Sequence, residues 1–389
     1  VHFAYFLGTM LDAQRRRAID EHWSTALFPS FWFGMTIHIP SQRHFKSAYW
    51  LSAGTVEQRL AHLLSPRAVR EACIDTTKMS GNSAFVNYVY RHTITERSSG
   101  QSLEIIEKSI KKLMLTPSSE SSFYRERSIL ARSSKFRHPR CYGVIETPFE
   151  SIIFTRFVNG RPPRMADVCG AIARGISELE CITHAHLNNT GNRRRIAHWC
   201  MSFFQPWYLL RPKYNHSTLF KHLDLLGQTR NYRMPTRGEF KRKLSPLIAQ
   251  LKSNALSSPR CFSHLDYLRK NLIQSKNSLF LIDWSEVRIG RIGFDSGAYL
   301  SNLFRNSDIQ TFETLASKYL TTYYRELPSE HRNATTANNI LYIFLLHSTW
   351  YCMRKDVIKN AATDIDPAPL GEKLNYLLNV DIRQFQPTQ

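Results

Sequence analysis

The sequence predicts an α+β fold in two lobes: a small antiparallel β-sheet lobe and a larger, mainly helical lobe, with an N-terminal helical extension. Three observations predict it. Apolar residues alternate with period two through Ala84–Thr95 and resume in a β-branched stretch at Leu103–Ile110. A Pro- and Gly-rich break stands at Asn159-Gly160-Arg161-Pro162-Pro163. Helical spacing dominates beyond it, beginning with Val168, Ile172, Ile176 and Leu179. The chain has 389 residues, 42% of them hydrophobic and 21% charged, which excludes wholesale disorder and allows a sizeable core without disulfide or metal.

Residues 1–75 read as the helical extension. Thr55 followed by Gln58 resembles a capping box, with Val56, Leu60, Leu63 and Leu64 on one face of the helix it starts. Ser65-Pro66 reads as cap and first position of another helix. Residues 76–158 form the β-rich lobe. A small-residue turn, Met79-Ser80-Gly81-Asn82-Ser83, precedes the strand Ala84–Thr95; the turn Glu96–Gln101 leads to Leu103–Ile110, and together they make a meander. Pro117–Ser122 reads as a linker and Phe123–Ala131 as a helix, with Glu126 on the face of Phe123, Ile129 and Leu130. Cys141–Glu146 and Ser151–Val158 read as strands around Pro148. Residues 159–389 form the helical lobe: a helix through to His186 with Gly175 as a close-packing site, a basic loop Asn188–Arg195, short buried strands at Arg260–Ser263 and Leu279–Ile282, and closing helices over 308–326, 335–354 and 370–380.

Lys and Arg number 52 against 31 Asp and Glu, so the formal net charge is 52 − 31 = +21. That field favours anionic partners and disfavours a polycationic substrate. The seven cysteines are odd in number and widely spaced, without C-x-x-C, which argues against a disulfide framework or a Cys-rich zinc site and points to a reducing cytoplasm. The N-terminal VHFAYFLGTMLDAQRRR has its basic residues after a short apolar stretch and makes a poor signal peptide. The apolar run Ile340–Met353 contains His347, Ser348 and Thr349 and falls short of the roughly 20 residues a membrane span needs.

Chemistry concentrates in Cys261–Leu300. His264-x-Asp266 is followed by Asn271, then by Asp283 at the end of the strand LFLI, then by Asp295. Phosphoryl transfer needs Mg²⁺ to neutralise phosphates, a carboxylate to take the acceptor's proton, and a lysine on the phosphates. Mg²⁺ prefers carboxylate and amide oxygens with retained waters. A loop carboxylate, an amide five residues on and a strand-end carboxylate can converge for that purpose, because the intervening strands return the chain to the same edge of a cleft.

HLDYLRKN followed by LFLIDW resembles the catalytic loop and metal-binding segment of the aminoglycoside phosphotransferase and choline kinase family, small-molecule kinases with the protein-kinase-like fold. The resemblance implies Asp266 as catalytic base, His264 as a brace of the loop, Asn271 and Asp283 as Mg²⁺ ligands, Asp295 as an acid tying the loop backbone, and Trp284 in a packing position. It further implies that Ser80, Gly81, Asn82 and Ser83 cover the ATP phosphates, that Lys108 binds them with Lys111 and Lys112 as alternatives, that Glu126 pairs with that lysine, and that the backbone of Thr155 and Phe157 meets adenine. The expected function is an ATP- and Mg²⁺-dependent phosphotransferase acting on a hydroxyl of a small molecule: a sugar, amino alcohol, nucleoside, antibiotic-like compound or anionic acceptor. A protein kinase, or a weakly catalytic kinase-like module whose basic surface binds nucleic acid or membrane, is the alternative.

Overall fold

The computed structural model describes residues 45–80, 85–112, 118–126, 132–197, 200, 202–204, 235–352, 357 and 368–387. The small lobe is built on a six-stranded sheet of order β1-β6-β7-β4-β3-β2. Its strands are β1 Lys46–Tyr49, β2 Ala72–Ser80, β3 Val86–Glu96, β4 Ser102–Lys111, β6 Cys141–Glu146 and β7 Glu150–Arg156. β2, β3 and β4 pair antiparallel as the meander expected from the alternation. The turn between β3 and β4 closes at Gly100, whose φ of +68° suits glycine. β5, Phe136–Arg137, stands outside this sheet and pairs in parallel with β10, Ser278–Leu281, of the other lobe.

The segment before residue 76 departs from a purely helical extension. Residues 1–44 lie outside the described residues, but β1 pairs in parallel with β6, Lys46 opposite Gly143 and Tyr49 opposite Glu146. The start of β2 likewise belongs to the sheet. Between them stand α1 (Val56–Leu63), with the expected capping box of Thr55 and Gln58, and α2 (Pro66–Arg70), capped by Ser65. Parallel pairing joins residues nearly a hundred positions apart, so no local pattern announces it.

α1 covers one face of the sheet. Leu60 and Leu63 are buried there with Ile94, Leu103, Ile105, Ile145, Ile152 and Phe154. The opposite face carries Ile110, Val144 and Ile153, which pack with Phe123 into the core that fills the helical lobe. Burying apolar surface on both faces is worth about 25 cal/mol per Å² and fixes the sheet between helices.

The helical lobe contains α4 (Cys169–Asn188), α5 (Thr190–Ala197), α6 (Ser245–Ser257), α7 (Phe294–Asn306), α8 (Ile309–Glu326), α9 (Ala334–Cys352) and α10 (Ala368–Asn379). α5 replaces the expected basic loop: Asn189 alone separates it from α4, and its arginines are helical. Gly175 does sit at a close approach, since a Cβ there would meet the Phe136 ring at 2.6–2.7 Å. Two small sheets, β8 (Arg260–Ser263) with β11 (Arg288–Arg291), and β9 (Leu272–Ser275) between loop and β10, hold the polar segment 264–283 at the lobe boundary.

Candidate active site

β4 alternates its side chains between the two faces of the sheet. Glu107 points under α1, where Arg59 lies 2.7 Å and His92 3.1 Å from its oxygens. Lys108 points the other way, toward the lobe boundary. Its Nζ donates to Glu120 Oε2 and to Asp283 Oδ1, each at 2.6 Å. Burial works against the ammonium, but Glu120 and Asp283 outweigh it and raise the lysine's pKa above its usual value. Asp283 shows the reciprocal effect. Burial would raise it, yet Lys108 holds it down at about 2. Glu120 is buried more deeply, and that burial prevails over the lysine and pushes its carboxyl upward.

The partner of Lys108 therefore differs from the expected Glu126. α3 spans Ser119–Arg125, and Ser118 Oγ accepts the Ser121 N–H at its start. The serines read as a linker are the helix's cap and first turn, so the helix begins before Phe123 and Glu120 lies within it, facing the strand. Glu126 is the buried C-cap residue. Of the alternative lysines, Lys112 forms a separate buried pair with Glu146 at 2.7 Å. Glu146 also accepts from Ser121 and Ser151, which docks α3 on the sheet.

The loop after β8 is held from behind. Asp295, in the first turn of α7, accepts the His264 N–H at 3.1 Å, the Leu265 N–H at 2.9 Å and the Tyr267 hydroxyl at 3.0 Å. Leu265 has a φ of +64°, a left-handed conformation that costs about 1 kcal/mol or more for such a residue and persists because its amide is held. His264 Nε2–H donates to the Ile282 carbonyl at 3.0 Å, and Nδ1 accepts the Asp266 N–H at 3.3 Å. The imidazole thus ties the loop to the strand end that carries Asp283.

Asn271 ends the short 3₁₀ turn Arg269–Asn271. Its Nδ2 donates to the Asp266 carbonyl at 3.0 Å and to Asp266 Oδ2 at 2.9 Å. Its own carbonyl accepts the Ile282 N–H at 3.0 Å, which brings Asp283 alongside. The β9–β10 hairpin makes this return, with Leu272 opposite Leu281. Burial and the nearby Asp283 raise the pKa of Asp266, while His264, Lys270 and Asn271 favour its charged form. Trp284 stacks on Phe123 at 3.9 Å and meets His264 edge-on at 4.7 Å, so helix α3 and the loop share one aromatic wall.

The donor set suits a hard cation. With Asn271 Nδ2 committed to Asp266, its amide oxygen is the atom left for a metal, beside the carboxylate of Asp283. Among the described residues no three His, Cys, Asp or Glu cluster as a self-contained metal site.

One further expectation lies mostly outside the described residues, and two meet the sheet. Ser80 ends β2, whereas Gly81, Asn82 and Ser83 lie outside the described residues. Thr155 is an interior strand position, opposite Ile106 of β4 and Cys141 of β6. The Phe157 N–H donates to the Glu104 carbonyl at 3.1 Å, and its ring lies 4.2 Å from the Arg91 guanidinium. The Phe157 amide is thus committed within the sheet. Sequence reasoning also missed Glu180, fully buried in α4. Its one signal was position: it directly follows Leu179 on a helix whose buried stripe includes Ile172 and Ile176.

The site thus joins a lysine to two carboxylates across a lobe boundary and sets beside them an Asp–Asn pair on a braced loop, within a β-sheet lobe and a larger helical region. Residues 167–329 match the model of a phosphotransferase enzyme family, so the resemblance to the aminoglycoside phosphotransferase and choline kinase family extends beyond the loop motif. No curated protein matches the chain. Among solved structures, amicoumacin kinase in complex with AMP-PNP, Ca²⁺ and Ami is similar at 12% identity, over 82% of this chain and 92% of that one, with a TM-score of 0.49. Choline kinase from Cryptosporidium parvum Iowa II is similar at 14% identity over 80% and 88%, with a TM-score of 0.40. A choline/ethanolamine kinase family protein from Mesorhizobium loti is similar at 11% identity over 80% and 90%, with a TM-score of 0.42.

Proposed function

We propose that this chain transfers the γ-phosphoryl group of ATP to a hydroxyl of a small molecule, with Mg²⁺. The observation that supports this reading best is the convergence of Lys108, Asp283, Asn271 and Asp266 at one lobe boundary. Lys108, oriented by Glu120, contacts nucleotide phosphates. Asp283 and Asn271 hold Mg²⁺, which when bound neutralises phosphate charge. Asp266 Oδ accepts the proton of the acceptor hydroxyl as the new O–P bond forms and the bond to the β-phosphate oxygen breaks, releasing ADP. Its raised pKa suits a base. Ser80 to Ser83 cover the phosphates, and the lobes divide near residues 158 and 159.

The net charge of +21 and Lys270, close enough to bias Asp266, favour an acceptor that carries an anionic group. The same charge favours, as a second reading, a basic surface that engages RNA or acidic lipid; steep loss of RNA binding with salt would mark it. All seven cysteines are free thiols, and we place the chain in the cytosol. Among the described residues no helix is long and apolar enough to cross a membrane.

The test is thermal unfolding with ATP, with and without Mg²⁺, for the parent and Asp283→Asn, followed by a phosphorylation screen with Asp266→Asn. The parent should gain a Mg²⁺-dependent stabilisation that Asp283→Asn loses, by mass action. Asp266→Asn should keep the stabilisation and lose turnover. A folded parent that ATP and Mg²⁺ fail to stabilise would refute the proposal.

A further inference from the structure

Glu180 plays no part in the transfer just described, yet it is a fully buried acid with a complete set of partners. The Gly293 N–H points between its two oxygens at 3.0 Å from each. The Asp295 N–H reaches Oε1 at 3.2 Å, and the Tyr323 hydroxyl reaches Oε2 at 2.5 Å. Gly293 is the N-cap of α7 and Asp295 lies in its first turn. Glu180, a residue of α4, therefore supplies from outside the acceptor that this helix start lacks in its own side chains. The same Asp295 uses its carboxylate to hold the amides of His264 and Leu265. The next residue in the chain is Asp266.

The arrangement brings two buried carboxylates close together, which is costly for packing alone. Burial and the Asp295 charge push the Glu180 carboxyl up to about 8. The titratable groups around the pair are Tyr319, Tyr323 and Tyr324 of α8, Cys261 of β8, and His264 and Tyr267 of the loop. Every hydrogen bond described for the two acids comes from a donor, so the donors of α7, α8 and the loop converge on them.

We propose that Glu180 is a positioning residue for Asp266: it fixes the first turn of α7, and through Asp295 it fixes the backbone of the loop. The turnover part of this inference rests on the phosphotransferase reading; the backbone part does not. The experiment compares the parent, Glu180→Gln and Glu178→Gln by amide hydrogen exchange and by steady-state kinetics. Glu178 lies on the same helix but holds the surface segment Ser133–Lys135.

In Glu180→Gln, exchange at the His264 and Leu265 amides should quicken about tenfold or more relative to the parent, and Glu178→Gln should leave them unchanged. The kcat of Glu180→Gln should fall about tenfold while the KM for ATP stays put, because Lys108 and Asp283 are untouched. Slow exchange retained at both amides in Glu180→Gln would overturn the proposal. So would equal quickening across the whole helical lobe, which would mean general loosening. If the parent shows no turnover, the phosphotransferase reading fails while the exchange data still decide this one. Should Glu180→Gln not fold, Tyr323→Phe removes a single donor from the same carboxylate and should quicken the same two amides to a lesser degree.

Discussion

Replacing Lys108 by methionine keeps the bulk of the stem and removes the ammonium that joins Glu120 to Asp283. Asp283 is held at about 2 against an ordinary 3.8. That depression corresponds to about 2 kcal/mol of stability near neutrality. Since the folded value lies below the unfolded one, the contribution is present above about pH 4 and is lost as pH falls toward 2. Glu120 behaves oppositely. Its carboxyl is already raised by burial, and without the lysine it stands higher still above the unfolded value of 4.5. A raised acid supports the fold below its unfolded pKa and withdraws that support as pH rises through the folded value. Urea denaturation of Lys108→Met and parent at pH 4.5 and pH 8 should therefore show a deficit that widens with pH, reaching about 3 kcal/mol or more at pH 8. The same deficit at both pH values, or none, would refute the account of the Lys108–Glu120–Asp283 group.

Other perturbations follow from single contacts. Arg59→Met removes the guanidinium from the buried Glu107, leaving His92 as its partner; a loss of about 3 kcal/mol in denaturant unfolding is expected. Gly175→Ala places a methyl group 2.6–2.7 Å from the Phe136 ring and should lower stability by about 1–3 kcal/mol, read from the melting temperature. Ser118→Ala deletes the cap of α3 and should cost about 1 kcal/mol; because Glu120 sits in that first turn, it should also weaken the stabilisation by ATP.

The parts legible in the sequence are those in which local pattern and tertiary role coincide. The alternation read along Ala84–Thr95 and the β-branched stretch Leu103–Ile110 mark strands, and the described strands Val86–Glu96 and Ser102–Lys111 fall on them. Within the loop from His264 to Asp283, the contacts among His264, Asp266, Asn271 and Ile282 are legible because they lie within twenty residues and a hairpin closes them. Glu120 was hidden because serines before a helix read equally as linker or as cap, and choosing the linker starts the helix a turn late. β1 was hidden by its brevity and by a partner strand far along the chain. Glu180 was hidden because a glutamate beside an apolar stripe reads as a boundary residue until the N-terminus of α7 is seen against it. Phe157 looked available at a strand end, but strand pairing continues one amide beyond β7.

The opposed side chains of Glu107 and Lys108 carry a consequence for how β4 can pair. Slipping the strand by one residue against β3 and β7 would exchange their faces. Lys108 would then enter the pocket lined by Arg59, and Glu107 would face Glu120 and Asp283. Like charge would meet like charge on both sides of the sheet at once. Adjacent residues of opposite sign, each matched to its own face, thus serve as a two-sided key that admits one alignment. The apolar pattern of β4 alone would penalise the slip by misplacing its buried isoleucines; the ion pairs add to that penalty at the point on the strand where the lysine has to be placed.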